Sequence, residues 1–194
     1  MKISPIFRHV NIPNLITTLG LVLGIFTAYF LTQQNLRLAI IMLFFAGTAD
    51  LFDGFVASKL NQQSEFGKYL DTLVDFFTCV IMPIWMVFDL LDGGPFLFTG
   101  LILYCICGLW RLANYSLSGG GKGFVGLPVP AAMTLVTMTI WSILYYNVPV
   151  FVGGIVFILA AMLMISSIPL AKYGRWQVAF GLLGLAFLII VILS

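Results

Sequence analysis

Apolar positions fall into long runs separated by short polar breaks, and seven runs can be marked: residues 14–31, 37–57, 67–88, 96–115, 129–146, 150–168 and 176–193. Runs of this length predict helices rather than strands, and at about 1.5 Å of rise per residue they suit roughly 30 Å of bilayer hydrocarbon. The breaks carry turn chemistry. Pro13 opens the first run, Asp92-Gly93-Gly94-Pro95 closes the third, and Asn147 with Pro149 separates the fifth from the sixth. Residues 58–65 form the longest strongly polar stretch and read as a loop or a frayed helix end, and residues 116–123 read as a Ser/Gly loop. The expected fold is all-α: a polytopic membrane helical bundle of about seven transmembrane helices, in a single domain spanning residues 1–194.

Composition sharpens this picture. The chain is 61% hydrophobic and 8% charged, with a mean hydropathy of +1.11, which excludes an ordinary soluble domain and identifies an integral membrane protein. A net charge of +2 with no basic run argues against a nucleic-acid partner. The positives matter by position. With the N-terminus in the cytoplasm, seven alternating spans put Lys2, Arg8, Lys59, Lys68, Arg111, Lys122, Lys172 and Arg175 inside and only Arg37 outside, as the positive-inside rule requires. Residues 1–10 are expected to stay in the mature fold as an anchor, Ile3, Ile6, Phe7 and Val10 giving an interfacial segment and His9 facing headgroups. Cys79, Cys105 and Cys107 lie in apolar runs without metal spacing and read as small core residues.

Four of the seven acidic residues, Asp50, Asp53, Asp71 and Asp75, stand inside the second and third runs. Charges at membrane depth are costly and face a bundle interior or cavity. Each pair is three or four residues apart, so its members share a helix face. The second helix descends to the cytoplasmic side and the third rises from it, which brings Asp53 and Asp71 to similar depths. Four converging carboxylates call for cations, and all-oxygen donors favour magnesium, manganese or calcium over zinc. Gly54 and Gly67 flank the acids, where a glycine costs helix stability. They point to close approach of a ligand or of another helix.

The order Asp50-x-x-Asp53-Gly54-x-x-Ala57, a polar gap, then Gly67-x-x-x-Asp71-x-x-x-Asp75 resembles the signature of the CDP-alcohol phosphatidyltransferases. Ile12-Pro13-Asn14-x-x-Thr17 resembles the start of that family's first helix, and Arg111 followed by Gly126-Leu-Pro128-x-Pro130-Ala131-Ala132 resembles its phosphatidylserine synthase branch. The resemblance implies a six-helix core with an extra C-terminal helix, a homodimer and two divalent cations, Mg2+ or Mn2+, held by Asp50, Asp53, Asp71 and Asp75. Asp75 would also be the general base. CDP-lipid contacts would come from Asn14, Thr17, Gly54, Ala57, Lys59 and Gly67. Paired metals suit an in-line displacement at a diphosphate, and an acceptor hydroxyl needs a carboxylate or metal to lose its proton.

Two positions depart from the family pattern, Gly20 standing where the serine branch often has a polar residue, and the other matters more. Ser58 and then Lys59 follow Ala57 where the family carries Arg, and Lys59, about 100° further round, lacks the bidentate fork of a guanidinium. Arg111 and Lys122 are the cations of the loop after the fourth run. This modest set suits the carboxylate of a small zwitterion such as L-serine; orientation and snorkelling are the alternative reading of both. The expected reaction moves a phosphatidyl group from CDP-diacylglycerol to that small alcohol acceptor and releases CMP at the cytoplasmic face. A glycerol 3-phosphate or inositol-phosphate acceptor is the enzymatic alternative, and a divalent-cation transporter the non-enzymatic one.

Overall fold

The computed structural model describes residues 8–117, 123–171 and 175–193. Among these residues seven continuous helices run in chain order: α1 Ile12–Thr32, α2 Leu36–Lys59, α3 Glu65–Leu90, α4 Pro95–Leu117, α5 Val129–Tyr146, α6 Val150–Ile165 and α7 Arg175–Leu193. Local chemistry starts each of the first three. Asn11, Asn35 and Ser64 accept from the backbone N–H of Asn14, Leu38 and Gly67 at 2.9, 3.1 and 3.0 Å, satisfying donors that a helix N-terminus leaves open.

Among the described residues five helices, α1 to α5, are long and apolar enough to cross a membrane. Large apolar side chains such as Leu51, Phe52, Phe55 and Trp110 are exposed, as expected of a lipid-facing surface. Helix α7 covers the seventh expected run, whereas α6 has 16 residues and ends at Ile165 rather than 168.

The early end of α6 has a local cause. Leu127 N–H donates to the Leu163 carbonyl at 2.9 Å and Gly126 N–H to the Ile168 carbonyl at 2.8 Å, so the loop before α5 takes up carbonyls at the end of α6. Gly126 has φ +77, and a Cβ there would lie 2.6 Å from the Met164 carbonyl oxygen, so only glycine fits. Beyond this contact the all-α bundle carries two three-residue strands. β1 (Gly123–Val125) pairs antiparallel with β2 (Pro169–Ala171), in the register Gly123↔Ala171, Phe124↔Leu170 and Val125↔Pro169.

Helix packing sets the depth of the acidic residues. The buried stripe of α1 is Pro13, Asn14, Thr17, Gly20, Gly24, Thr27 and Leu31, mostly small residues that let α2 and α3 approach closely. The buried stripe of α2 runs Leu36, Ala39, Ile40, Leu43, Ala46, Ala49 and Asp53 at helical spacing, so the face that packs the core ends on a carboxylate. Helices α4 and α6 form the other extensive pair, with Tyr104 and Phe157 fully buried between them. Helix α7 lies against α2 and α5.

Within α3, residues Phe76–Ile81 wind as a π-helix, with Met82 N–H bonding the Phe77 carbonyl five residues back. A π turn inserts one residue and rotates everything beyond it by about 100° relative to an unbroken α-helix. The half before the turn presents Asp71, Val74 and Asp75 to a polar crevice. The half after it buries Met82, Met86 and Val87 in the apolar core.

Candidate functional site

Helix α2 delivers Asp50 and Asp53 in its last turns, and α3 delivers Asp71 and Asp75 in its first turns. Carboxylate oxygens of Asp50, Asp53 and Asp71 all lie within 4.8 Å of one another. Asp75 lines the same crevice, together with Thr17, Gly20, Ala46, Val74 and Thr78, but stands outside that tight triad. Asp53 and Asp75 are 5% and 8% exposed, and Asp50 and Asp71 are half-buried.

These four acids have no ion-pair partner among the described residues. Clustered carboxylates without a protein cation are a donor set for a hard metal ion. Oxygens sharing one ion at about 2.1 to 2.6 Å can be as far apart as about 5 Å, so the triad fits one Mg2+, Mn2+ or Ca2+ after small side-chain rotations. Asp50, Asp53 and Asp71 would hold that ion. The absence of His and Cys from the triad argues against zinc.

The first helix also reaches the carboxylates. The Thr17 hydroxyl is in hydrogen-bond contact with Asp53 Oδ2 and also reaches the Pro13 carbonyl at 3.2 Å, so it orients a metal-ligand candidate. Asn14 is buried and donates through Nδ2 to the His9 carbonyl at 2.7 Å. Its Oδ1 lies 2.6 Å from where a Cβ on Gly67 would sit. Gly67 is therefore small because α1 lies against it. His9 stacks on Phe66 at 4.3 Å, which joins the segment before α1 to the start of α3.

Gly54 behaves oppositely: it is exposed, and nothing lies within 4 Å of a Cβ built there. Ala57 is half-buried in the following turn. Helix α2 stays helical through Lys59, whose ammonium sits 5.9 Å from the Phe55 ring centroid. Six residues round the helix from Asp53, at about 100° each, place Lys59 on a face turned away from the carboxylates.

Arg111 is half-buried, with Nε 3.3 Å from the Leu127 carbonyl and an Nη the same distance from that of Gly126. It thereby ties the end of α4 to the segment that closes α6. Lys122 lies outside the described residues. Three residues escaped the sequence reading as contributors to the site: Thr78, which lines the crevice; Cys79, whose Sγ is 3.9 Å from Asp75 Oδ1; and Tyr104, whose hydroxyl donates to the Cys79 carbonyl at 2.8 Å. The spacing of four from Asp75 to Cys79 was the available signal for one of them.

Comparison with known proteins adds an independent line. The CDP-alcohol phosphatidyltransferase family pattern matches residues 10–193. The chain is 30% identical over 166 residues to a CDP-diacylglycerol–serine O-phosphatidyltransferase of Methanocaldococcus jannaschii, covering 86% of this chain and 76% of that protein. It is 31% identical over 132 residues to the Bacillus subtilis protein of the same name, covering 66% and 75%. An archaetidylserine synthase of Methanothermobacter thermautotrophicus is 28% identical over 174 residues, covering 87% and 72%. The match along nearly the whole chain includes both carboxylate helices, and this protein belongs to the CDP-alcohol phosphatidyltransferase family.

Proposed function

We propose that the protein transfers a phosphatidyl group from CDP-diacylglycerol to L-serine, forming phosphatidylserine and CMP. The observation that carries this reading is the carboxylate crevice, with a metal-binding triad and a separate fourth acid. Serine as acceptor is supported by the relatives named above, which match most of this chain. The serine hydroxyl oxygen bonds to the phosphorus that bears the diacylglycerol group, and the bond from that phosphorus to the CMP oxygen breaks. The electron pair leaves with CMP, and Asp75 takes the hydroxyl proton.

Two divalent cations, Mg2+ or Mn2+, held by Asp50, Asp53 and Asp71 with Asp75 at the edge, would neutralise the diphosphate and stabilise the departing CMP. Thr17 holds Asp53 in place. Open space beside Gly54 leaves α2 accessible to the CDP group, and Asn14, Ala57, Lys59 and Gly67 border the same end of the bundle. Arg111, fixed by two carbonyls, retains further N–H groups for the serine carboxylate, with Lys122 as a second cation. The charge distribution supports a cytoplasmic N-terminus and active site. A homodimer follows from the family resemblance.

An acceptor panel tests this reading. Purified protein with CDP-diacylglycerol and Mn2+ should form labelled lipid from L-serine and none from glycerol 3-phosphate or inositol phosphate. Product from a phosphorylated acceptor alone would move the protein to another branch of the family.

A further inference from the structure

The π turn in α3 begins immediately after Asp75 and ends two residues before Pro83. Pro83 carries no N–H, so the Cys79 carbonyl, four residues earlier, lacks the donor that an α-helix would supply. A buried carbonyl without a partner is costly. The hydroxyl of Tyr104, from α4, fills the vacancy at 2.8 Å. Tyr104 and Cys79 are both 0% exposed, and the tyrosine ring is held edge-on against Phe157 at 5.3 Å between centroids. One turn along α4, a Cβ on Gly108 would meet Val80 Cγ2 at 2.9 Å, so α4 lies tight against the π turn at two successive points.

Cys79 also reaches Asp75. Its Sγ is 3.9 Å from Asp75 Oδ1, within reach of a weak S–H donation, and 3.6 Å from the Thr78 hydroxyl. The same residue thus receives a hydrogen bond on its carbonyl from α4 and offers its thiol to Asp75. No other contact from α4 to these acids is needed for α4 to set the direction in which Asp75 leaves α3.

We propose that Tyr104, acting through Cys79, is a positioning residue for Asp75: its hydroxyl holds the π turn in the register that aims Asp75 at the acceptor hydroxyl. The proposal rests on the reading of Asp75 as the group that takes the acceptor's proton. It separates two functions within one crevice. Asp50 and Asp53 stand on α2 with Thr17 of α1 on Asp53, and Asp71 lies a full turn before the π turn, whereas Asp75 adjoins the turn that Tyr104 holds.

Tyr104→Phe removes only the hydroxyl and keeps the ring on Phe157. Misplacing a catalytic group by a fraction of an ångström costs about tenfold or more, so kcat for CMP release should fall about tenfold. The KM for CDP-diacylglycerol should stay within about twofold and the Mn2+ dissociation constant, measured without substrate, within about threefold. Amide exchange over residues 79–84 should be faster. Cys79→Ala, which deletes the thiol and keeps the carbonyl bond, should lower kcat about fivefold with the same pattern. Either variant, folded and with kcat within about twofold of wild type, overturns the proposal, as does a loss of Mn2+ binding that matches the loss of kcat. Wild-type protein that releases no CMP would instead contradict the proposed reaction, and that result is visible before any variant is compared.

Discussion

Two charged regions occupy the same end of the bundle and are satisfied in opposite ways. In the crevice between α1, α2 and α3, four carboxylates converge with no protein cation among the described residues. At the junction of α4, α5 and α6, Arg111 places two donors on the carbonyls of Gly126 and Leu127, and those residues donate to Ile168 and Leu163. The first region is left wanting a ligand. The second closes on itself and fixes the frame around it. A charge in an apolar protein is therefore read by what satisfies it, not by its cost alone.

The largest expected effect breaks the first region. Asp75→Asn retains shape but cannot take a proton, and CMP release should fall at least about 10³-fold while the protein still inserts and folds; normal turnover in this variant would remove Asp75 from the chemistry. Asp53→Asn removes a triad ligand and should weaken Mn2+ binding by about 100-fold or more, seen by titration without substrate. Thr17→Val removes only the hydroxyl that orients Asp53 and should weaken Mn2+ binding about tenfold. A Thr17 that contacts only CDP-lipid would change the KM for that substrate and leave Mn2+ affinity alone.

The second region should fail differently. Arg111→Gln leaves the Gly126 and Leu127 carbonyls short of donors, costing about 1 to 3 kcal/mol, and thermal unfolding in detergent should move down by several degrees. Mn2+ affinity should not change. An additional rise in KM for serine would show that the spare N–H groups of Arg111 also meet the acceptor.

The smallest effect separates two glycines that look alike in the motif. Gly67→Ala would press a Cβ onto Asn14 Oδ1 and should destabilise by about 1 to 3 kcal/mol. Gly54→Ala meets nothing within 4 Å and should stabilise α2 by up to about 1 kcal/mol. If the CDP group passes over Gly54, the more stable variant will show a higher KM for CDP-diacylglycerol; an unchanged KM would mean that no ligand approaches there.

These contrasts mark what the chain reveals before folding. The carboxylate site was legible because Asp50, Asp53, Asp71 and Asp75 obey helical spacing, and an antiparallel helix pair brings them to one depth. Helix existence was legible from the apolar runs, but the ends of α6 and the β1–β2 ribbon were not, since three-residue strands carry no alternation to detect. Gly67 could be read as ligand or helix contact, and the helix contact, Asn14 arriving from α1, is visible only in the structure. The partners of Arg111 were hidden because backbone carbonyls leave no side-chain signature. Pro83 stands in plain view within the third run, yet its consequence depends on a tyrosine 21 positions away.

The most direct measurement of the central claim is CMP release from CDP-diacylglycerol by the purified protein, followed against Mn2+ concentration with L-serine present. The account predicts saturable, chelator-sensitive release, with one phosphatidylserine formed per CMP and activity lost in Asp71→Asn. Release that persists in chelator, or at the wild-type rate in Asp71→Asn, would contradict it.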